Sequence, residues 1–548
     1  MFNRSLFFAV LLASAGSVLL AAENPVQPDG LNATDWREIQ TKIRAHRATS
    51  DFNTAQGKRP QIATSPRSGS APRFAQQAYL KAGNTEEEDY FGDSVAVSGD
   101  TVVVGSRGED SSAIGIDGDS TDNGQIDSGA VFVFVRSADG WTQQAYLKAS
   151  NTDDGDWFGS SVAVSGDTIV VGAPLEDSNS TEIDTGQDDN SFNNSGAAYV
   201  FVRDNGNWAQ QAYLKPSNNS NAVQFGLSVA VSGGTAVVGA WRANASLDET
   251  RGFISRSGAA YVFERTDTTW SEQAILIASN ADTNDRFGIA VAVDDDMILV
   301  GAPGEDSDAE GVNGVQDNNS AEESGAAYVF VRQAGMWLQQ SYLKASNTGA
   351  DDEFGSSVAV SGNTILIGAY AEASNATGID GDQADNSAER SGAAYIFVQS
   401  EGNWTQQAYV KASNTGRTDF FGFSVGISDD TAVVGAFFED SAATGIDGEQ
   451  DADSAASSAS GAAYIFVRDG ELWHQRAYVK ASNTQINDRF GDAVAVAGNT
   501  VIVGGWLEDS SATGVGGDQL DNTSVDSGAV YVFIVDSIFA DRFQASFD

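Results

Sequence analysis

The sequence predicts an all-β fold in which seven four-stranded sheets close into a ring. Each repeat holds four short apolar stretches bounded by Gly, Asp or Asn, and the stretch missing from the last repeat stands ahead of the first. A Phe-Gly pair recurs at steps of 67, 67, 62, 67, 67 and 69 residues, with the phenylalanine at Phe91, Phe158, Phe225, Phe287, Phe354, Phe421 and Phe490. A fixed period of this size is typical of arrays of one supersecondary unit. Together these features predict a seven-bladed β-propeller.

Residues 1–22 are predicted to be a secretory signal peptide. Arg4 precedes an apolar run from Leu6 to Leu20, and Ala21 and Ala22 offer a small-residue exit. The alternative is an uncleaved membrane anchor, but the run is short for a bilayer span and contains small polar residues. We therefore expect an extracytoplasmic protein, secreted, periplasmic or on the cell surface, without a transmembrane span after cleavage.

Residues 23–73 differ in composition from the array. Trp36, Ile39 and Ile43 share one face of a predicted short helix, which is too short to be stable alone. The Pro-containing, basic stretch after it indicates a flexible linker that leads into the first strand.

The second repeat illustrates the four strands of a blade. They are predicted at Ser161–Ser165, Thr168–Ala173, Gly196–Arg203 and Trp208–Lys215. Their β-branched and aromatic residues are typical of strands, and both faces are apolar. Such strands fit a sheet that is packed between two neighbouring sheets.

The two ends of the array predict how the ring closes. A Trp-containing segment begins the fourth strand at Trp141, Trp208, Trp270, Trp337, Trp404 and Trp473, which makes six copies. The seventh repeat ends at Ile534 without one, and the missing copy is residues 74–82. We expect this N-terminal strand to complete the last blade, which removes the open sheet edges. The propeller then spans residues 74–535, followed by a tail of residues 536–548.

The connections are unequal in length and define two faces. The connection between strands two and three is long, with 23 residues between Gly172 and Gly196, and it lies with the inter-blade segments on the long-loop face. Tight turns such as Ser165–Asp167 lie on the opposite, short-turn face. Long loops on a rigid scaffold commonly carry binding residues.

Closely spaced carboxylates with an intervening glycine recur in the first, fifth and sixth long loops. Such oxygen donors suit calcium. We predict calcium ligands at Asp117, Asp119, Asp122, Asp380, Asp382, Asp385, Asp447 and Asp451. No loop has the complete spacing of an EF-hand, and the alternative is that these residues solvate the loops and fix them through Asx turns.

The third repeat departs from the others. Its long loop has only 18 residues between Gly239 and Gly258 and carries Trp241, Arg242, Arg251 and Arg256. This departure is compatible with a specific site or with drift of one repeat.

The charge of the chain excludes some partners. Asp and Glu number 76 against 30 Lys and Arg, and residues 74–548 hold 71 acidic and 21 basic residues, a net charge of −50. Such a surface repels phosphate backbones, so we expect no nucleic-acid partner. The chain has no cysteine, which excludes disulfides and thiolate metal sites.

The repeat resembles a known family. The Phe-Gly pairs, together with Gly172-Ala173-Pro174 and Gly301-Ala302-Pro303, resemble the FG-GAP repeats of integrin α-subunit propellers, and bacterial FG-GAP proteins are more similar still. The resemblance covers about residues 74–535 and implies a propeller that binds partners through its loop face. Integrin propellers hold calcium between the first two strands of some blades, but Ser98–Thr101 is a short Ser-Gly-Asp-Thr turn here, so that site does not transfer.

Little in the sequence indicates catalysis. The two histidines, His46 and His474, have no Ser or Asp partner in their sequence context that would suggest a triad. We therefore predict a monomeric, non-catalytic binding or adhesion protein that recognises an extracellular protein or glycan, with calcium as its one candidate cofactor. The alternative is a propeller hydrolase that cleaves a polysaccharide with a pair of carboxylates.

Overall fold

The computed structural model describes residues 74–244, 253–450 and 458–535. The predicted signal peptide, the segment of residues 23–73 and the tail of residues 536–548 lie outside these ranges. Every regular secondary-structure element in the described ranges is a β-strand. None of the described residues belongs to a helix of the length and apolarity that a membrane span requires.

Twenty-eight strands make up the described fold. The first strand is β1 (Phe74–Leu80). Blade 1 consists of β2 (Phe91–Ser98), β3 (Thr101–Ser106), β4 (Ala130–Ser137) and β5 (Gly140–Leu147). Blade 2 consists of β6 (Ser161–Ser165), β7 (Thr168–Ala173), β8 (Ala197–Asp204) and β9 (Asn207–Leu214). Blade 3 consists of β10 (Ser228–Ser232), β11 (Thr235–Ala240), β12 (Ala259–Thr266) and β13 (Thr269–Leu276).

The remaining four blades continue in the same order. Blade 4 consists of β14 (Ala290–Asp294), β15 (Met297–Ala302), β16 (Ala326–Gln333) and β17 (Met336–Leu343). Blade 5 consists of β18 (Ser357–Ser361), β19 (Thr364–Ala369), β20 (Ala393–Ser400) and β21 (Asn403–Val410). Blade 6 consists of β22 (Val425–Ser428), β23 (Thr431–Ala436), β24 (Ala462–Asp469) and β25 (Leu472–Val479). Blade 7 consists of β26 (Val494–Ala497), β27 (Thr500–Gly505) and β28 (Ala529–Val535), with β1 as its outer strand.

Every blade is an antiparallel four-stranded sheet, and the predicted closure is confirmed. In blade 7 the strand order is β26, β27, β28 and β1. Tyr79 lies opposite Tyr531, and Leu80 lies opposite Val530. The first strand of each blade contacts the first strands of both neighbouring blades, so these strands form the innermost layer of the ring.

The Phe-Gly pair explains how neighbouring blades fit together. Phe158 is fully buried and packs edge-on against Tyr199, with 5.2 Å between ring centroids. Gly159 has a φ of +92°, and a Cβ at this position would lie 2.4 Å from the carbonyl oxygen of Ala130 in blade 1. Only glycine permits this approach, because any side chain would meet the backbone of the neighbouring blade. The pair is therefore structural.

A buried ion pair joins the long loop of most blades to their outer strand. In blade 5 the Lys411 Nζ lies 2.9 Å from Glu372 Oε2 and donates to Ser391 Oγ at 2.8 Å. Tyr409 donates its hydroxyl proton to Glu372 Oε1 at 3.0 Å. Equivalent pairs are Lys148–Glu109, Lys215–Glu176, Lys344–Glu305, Lys480–Glu439 and, across the ring closure, Lys81–Glu508.

Blade 3 lacks this polar network, because its glutamate, lysine and tyrosine are all replaced by apolar residues. The Gly258 N–H donates to the Ala243 carbonyl at 2.9 Å, as the Gly196 N–H donates to Glu176 in blade 2, so Ala243 occupies the glutamate position. In the same alignment Ile277 replaces the lysine and Ile275 the tyrosine. An ion pair that loses one partner leaves an uncompensated buried charge, whereas joint replacement by apolar residues avoids it. The departure of blade 3 therefore extends from its loop to its outer strand.

Candidate functional site

The acidic residues of the long loops act as hydrogen-bond acceptors that shape the backbone. Asp117, Asp380 and Asp447 have φ values between 51° and 53°, in the left-handed region. Each Oδ1 accepts the backbone N–H of a tyrosine in the outer strand of its blade, at 2.9, 3.0 and 3.1 Å. In blade 4 Asn313 makes the same bond to Tyr342 at 2.9 Å. The position therefore needs an acceptor oxygen rather than a negative charge.

The other predicted ligands also close local turns. Asp119 and Asp382 accept the N–H two residues further along the chain, at 3.1 and 3.0 Å. Asp385 accepts from the Ser387 N–H at 2.9 Å, and Asp122 accepts from the Ser112 hydroxyl. Asp451 lies outside the described residues.

The described loops do not bring three carboxylates together around one ion. Within the described ranges no group of three or more His, Asp or Glu side chains converges in a way that could hold a metal. Calcium coordination in these loops would need backbone or amide oxygens in addition to carboxylates. Calcium binding stays a prediction.

A different set of residues surrounds the mouth of the central axis on the long-loop face. We call it the axial ring. It consists of the residue before each Phe-Gly pair and the residue that follows the glycine and small residue at the end of each second strand. Its members are Tyr90, Trp157, Gln224, Arg286, Glu353, Phe420 and Arg489, and Arg107, Pro174, Trp241, Pro303, Tyr370, Phe437 and Trp506.

The axial ring breaks the repeat where the surrounding sequence keeps it. The residue before Phe-Gly has a φ between 53° and 60° in all seven blades, yet its side chain is aromatic, basic, acidic or amide. Left-handed backbone is unfavourable for bulky residues and clusters at functional positions. The blades thus share one strained backbone position and place different chemistry on it.

Aromatic rings and arginines pack together where blades 7, 1 and 2 meet the axis. The Arg107 guanidinium carbon lies 4.8 Å from the ring centroid of Trp506 and 5.5 Å from that of Trp157. The Arg489 guanidinium carbon lies 5.1 Å from Trp506 and 5.2 Å from Phe438. These contacts are cation–π interactions, and all of them except that between Arg489 and Trp506 cross a blade boundary.

Two aspartates lie beside these arginines. Asp93 forms an ion pair with Arg107. Burial, together with the charge of Asp93, raises the pKa of Asp492 to about 7, although Arg489 and Arg107 oppose that shift. This arc of the ring therefore holds two guanidinium groups, the Asp93 side chain that pairs with Arg107 and a second carboxyl group whose pKa is raised to about 7.

The arc formed by blades 4 and 5 is linked by side-chain hydrogen bonds and ion pairs. Tyr370 donates its hydroxyl proton to Glu353 Oε2 at 2.7 Å, and Arg286 Nη1 lies 3.8 Å from the same oxygen. Burial raises the pKa of Glu353 to about 8, an effect that Arg286 opposes. Arg286 Nη2 also pairs with Glu323 at 2.6 Å.

The arc of blades 7, 1 and 2 retains donors without acceptors. Arg107 Nε, Trp157 Nε1 and Arg489 Nε find no hydrogen-bond partner within the described part of the chain. Arg107 is only 4% exposed and Trp157 only 8% exposed. Buried N–H groups in folded proteins nearly always have an acceptor, and an unmade bond costs about 1–3 kcal/mol. These donor atoms are enclosed by the surrounding side chains, so their hydrogen bonds stay unmade within the described residues.

The residues that marked blade 3 in the sequence are only partly in the ring. Trp241 is a ring member and donates its indole N–H to Gln224 Oε1 at 2.7 Å. The Arg242 guanidinium carbon lies 4.6 Å from the Trp241 ring, and Arg256 is exposed. Arg251 and His46 lie outside the described residues, and His474 is exposed on β25.

Sequence reasoning missed the axial ring because it concentrated on repeated carboxylates. The available signal was the opposite one. Positions that flank the repeated Phe-Gly and Gly-Ala pairs vary among the blades, as Trp157, Gln224 and Arg489 show. A position that varies next to strictly repeated residues indicates one shared location in the fold that carries different side chains in different blades.

Comparison with known proteins gives a family match and distant structural alignments. The sequence model of one family, described as FG-GAP repeat, matches the chain seven times, at residues 74–134, 141–201, 208–263, 270–330, 337–397, 404–466 and 473–533. No curated protein matches the chain. A chain in the crystal structure of a mitotic checkpoint complex aligns with a TM-score of 0.42 and 10% identity, over 88% of this chain and 99% of that chain. The structure of Saccharomyces cerevisiae Sqt1 aligns with a TM-score of 0.39 and 8% identity, over 84% and 99%.

Proposed function

The chain belongs to the FG-GAP repeat family, and from this premise we propose that it is an exported, non-catalytic binding or adhesion protein. Its long-loop face recognises an extracellular protein or glycan, and the axial ring is the centre of that face. Calcium assistance by the acidic loops is a separate part of the proposal. Family membership supports a binding role, since the repeat builds a rigid scaffold that presents loops on one face.

The single observation that carries the proposal is the broken symmetry of the axial ring. Seven blades repeat their strands closely, but Trp157, Gln224 and Arg489 occupy the same left-handed backbone position with different side chains. A position that served only to pack the blades would be expected to repeat with them. Two of its neighbouring donors, Arg107 Nε and Trp157 Nε1, are buried and lack acceptors within the described residues.

Capture of a partner by the full chain tests this proposal. The chain is immobilised and exposed to an extracellular extract, and bound material is identified by mass spectrometry. The double variant Trp157→Gln/Arg489→Gln should bind the partner at least about tenfold more weakly, a loss of about 1.4 kcal/mol of binding free energy. It should therefore capture less partner than the unmodified chain. Glutamine already occupies this ring position as Gln224, so the substitution fits the backbone.

Arg468→Gln is the matched control. Arg468 also stacks on a tryptophan, with 5.3 Å to Trp473, but it lies by the short-turn face, and Gln399 holds the equivalent position in blade 5. Capture by this variant should equal that of the unmodified chain. No capture by the unmodified chain would reject a binding role, and equal capture by the double variant would move the site away from the axial ring.

One specific observation favours the alternative function, a hydrolase that cleaves a polysaccharide. Asp93 and Asp492 directly follow Phe-Gly in blades 1 and 7, whereas the other blades have Ser160, Leu227, Ile289, Ser356 and Phe423 there. The pair is thus unique in the chain, and the pKa of Asp492 is raised to about 7 by burial and by Asp93. A pair of neighbouring carboxyl groups suits acid–base hydrolysis of glycosides. Polysaccharide turnover that Asp492→Asn abolishes would establish this alternative against a non-catalytic role.

A further inference from the structure

The buried network of most blades holds an amine and a side-chain amide on the same carboxylate. In blade 5 the Asn347 Nδ2 donates to Glu372 Oε1 at 2.9 Å, and the Lys411 Nζ donates to Glu372 Oε2 at 2.9 Å. Lys411 is fully buried, and Glu372 is only 1% exposed. One enclosed carboxylate therefore binds a primary amine through one oxygen and a primary carboxamide through the other.

The surroundings of these groups favour a reaction between them. Burial lowers the pKa of Lys411, although Glu372 opposes the shift, and so favours the neutral amine, which is the nucleophilic form. The Tyr395 hydroxyl donates to Asn347 Oδ1 at 2.7 Å, the oxygen on which negative charge develops when the amide carbon is attacked. The fold also keeps the two groups at a high effective concentration and excludes competing water. Blade 5 thus contains a nucleophile, an electrophile, a proton carrier and an oxyanion donor.

We propose that Lys411 and Asn347 join in an isopeptide bond, and that the same reaction occurs in every blade with the complete set of residues. The Lys411 Nζ attacks the Asn347 Cγ, and the Cγ–Nδ2 bond breaks to release ammonia. Glu372 takes two protons from the amine, passes one to the departing nitrogen and keeps the other. The ion pair of the structure is the state before this reaction. The product is an amide beside a protonated, neutral carboxyl group, so no uncompensated charge stays buried.

The complete set recurs in blades 2, 4, 6 and 7. Each asparagine donates to its glutamate at 2.7–3.1 Å and accepts a tyrosine hydroxyl at 2.5–2.8 Å. The reacting pairs are Asn151 with Lys215, Asn280 with Lys344, Asn414 with Lys480, and Asn483 with Lys81. In blade 7 the bond ties the residue after β1 to the segment that enters the last blade. It thereby closes the ring covalently in a chain that has no cysteine.

Two blades lack part of the set and serve as internal controls. In blade 1 Phe132 stands at the tyrosine position, and Asn84 Oδ1 has no hydrogen-bond partner within the described residues. In blade 3 Asn218 still accepts the Tyr261 hydroxyl at 2.8 Å, but the glutamate and the lysine are replaced. We expect less reaction in blade 1, because its oxyanion has no donor, and none in blade 3, because it has no amine.

Peptide mapping of the purified full chain by mass spectrometry tests the proposal. The chain is unfolded in guanidinium chloride, which separates ion pairs but leaves amide bonds intact, and is then digested with trypsin. Blades 2, 4, 5, 6 and 7 should each give a branched peptide that is lighter by one ammonia than its two linear parts together. The branched fraction should be lower in blade 1. Absence of branched peptides from all five blades would overturn the proposal, and so would loss of ammonia without branching, as a succinimide at Asn205-Gly206 would give.

Variants of single groups test the assigned roles. Tyr395→Phe copies blade 1 and should lower the branched fraction of blade 5 to that of blade 1. Tyr261→Phe makes the same change in blade 3, where there is no lysine, and should leave every branched fraction unchanged. Glu372→Gln keeps the amine and the amide but removes the proton carrier, so it should abolish the branched peptide of blade 5 alone. An unchanged blade 5 fraction in Glu372→Gln would contradict the reaction as written. The peptides of the unmodified chain decide the proposal even where a variant does not fold.

Discussion

At the scale of single residues, repetition and its interruption have different meanings. The Phe-Gly pairs could be assigned a packing role from sequence, because a buried ring and a glycine recur in phase, and Phe158 and Gly159 behave in this way. The residue before them could not be interpreted from sequence, because its left-handed backbone is a consequence of how the inter-blade segment enters the innermost strand. In the sequence, Trp157 resembles any aromatic residue of a loop. Only the structure shows that it lies beside Arg107.

Buried aspartates before the Phe-Gly pairs predict an unusual pH dependence. Asp285 accepts the Asp282 N–H at 2.6 Å, and burial, with Glu305 nearby, raises the pKa of its carboxyl group to about 8. An unfolded aspartate titrates near 4, so the folded chain holds an extra proton between about pH 4 and pH 8. This group therefore stabilises the fold most at low pH, and its contribution falls as pH rises towards 8.

Asp285→Asn should remove that contribution to the pH dependence. The variant keeps an acceptor oxygen for Asp282 but has no carboxyl proton. The slope of the unfolding free energy against pH should become less negative by at most about 1.4 kcal/mol per pH unit, the value for one proton. Urea denaturation at pH 5, 6, 7 and 8 measures the slope, and Asp295→Asn on the exposed turn of the same blade controls for the mutation itself. Identical slopes for Asp285→Asn and the unmodified chain would contradict the raised pKa.

At the scale of the blade, the buried network behaves as one unit. Burial lowers the pKa of Lys411, and the charge of Glu372 opposes that shift, so each ion depends on the other. Blade 3 has lost the glutamate, the lysine and the tyrosine together and still forms a four-stranded sheet. The altered loop of blade 3 is visible in the sequence. That Ala243, Ile275 and Ile277 replace one network together becomes visible only when the structure gives the register of the loop against the outer strand.

Blade 5 offers a test of this cooperation. Lys411→Met alone leaves Glu372 buried without its cation and should lower the unfolding free energy by about 3–5 kcal/mol. The combined variant Glu372→Ala/Tyr409→Ile/Lys411→Ile copies blade 3 and should cost less than Lys411→Met, despite changing more residues. Urea denaturation of both variants provides the comparison. A combined variant that is less stable than the single one would show that the three positions act independently.

The acidic loops separate two roles of the same residue type. In the sequence, closely spaced aspartates indicated calcium, and Asx turns were the alternative. Asp380 makes the turn-closing bond that Asn313 makes in blade 4, so the turn does not require a charge. Spacing alone could not separate the roles, because a carboxylate that closes a turn and one that binds a cation occupy the same kind of Gly-rich segment.

A calcium titration decides between these roles. If calcium binds, millimolar calcium should raise the Tm of the chelated, purified chain, because a ligand of the native state stabilises it. Asp380→Asn/Asp382→Asn should reduce that increase while leaving the Tm without calcium unchanged, as Asn313 in blade 4 suggests. The unmodified chain and this double variant, both measured in magnesium, serve as the control for ionic strength. No change in Tm with calcium would leave the aspartates as turn residues only.

At the scale of the whole molecule, the ring is closed by strand pairing between the two ends of the array. The number of blades and the identity of the closing strand could be predicted, because counting the Trp-containing segments leaves one copy at the N-terminal end. The register also agrees, since Phe74 lies opposite Val535 as Trp208 lies opposite Arg203 in blade 2. What sequence could not supply is the geometry of the axis, where residues about 67 positions apart in sequence become neighbours.

This equivalence of the blades predicts that the opening of the ring can be moved. A four-residue connection copied from residues 204–207 would join Val535 to Phe74, and new ends would be placed between Glu401 and Gly402, in the exposed turn before β21. Blade 5 would then be closed by its own outer strand at the new N-terminus. Because every blade has the same strand order, we expect a soluble chain with one cooperative transition and a Tm within about 5 °C of residues 74–535.

A truncation shows whether closure itself is what stabilises both arrangements. Removal of residues 74–82 leaves β28 with an unpaired edge and removes Lys81, the cation that pairs with Glu508 at 3.1 Å. That chain should aggregate or lose cooperative unfolding, since an open edge templates association and a buried carboxylate loses its partner. A permuted chain that aggregates as the truncated one does would mean that blade 7 is a unique site of closure. A permuted chain as stable as the original would mean that pairing between the two ends closes the ring equally well at blade 5.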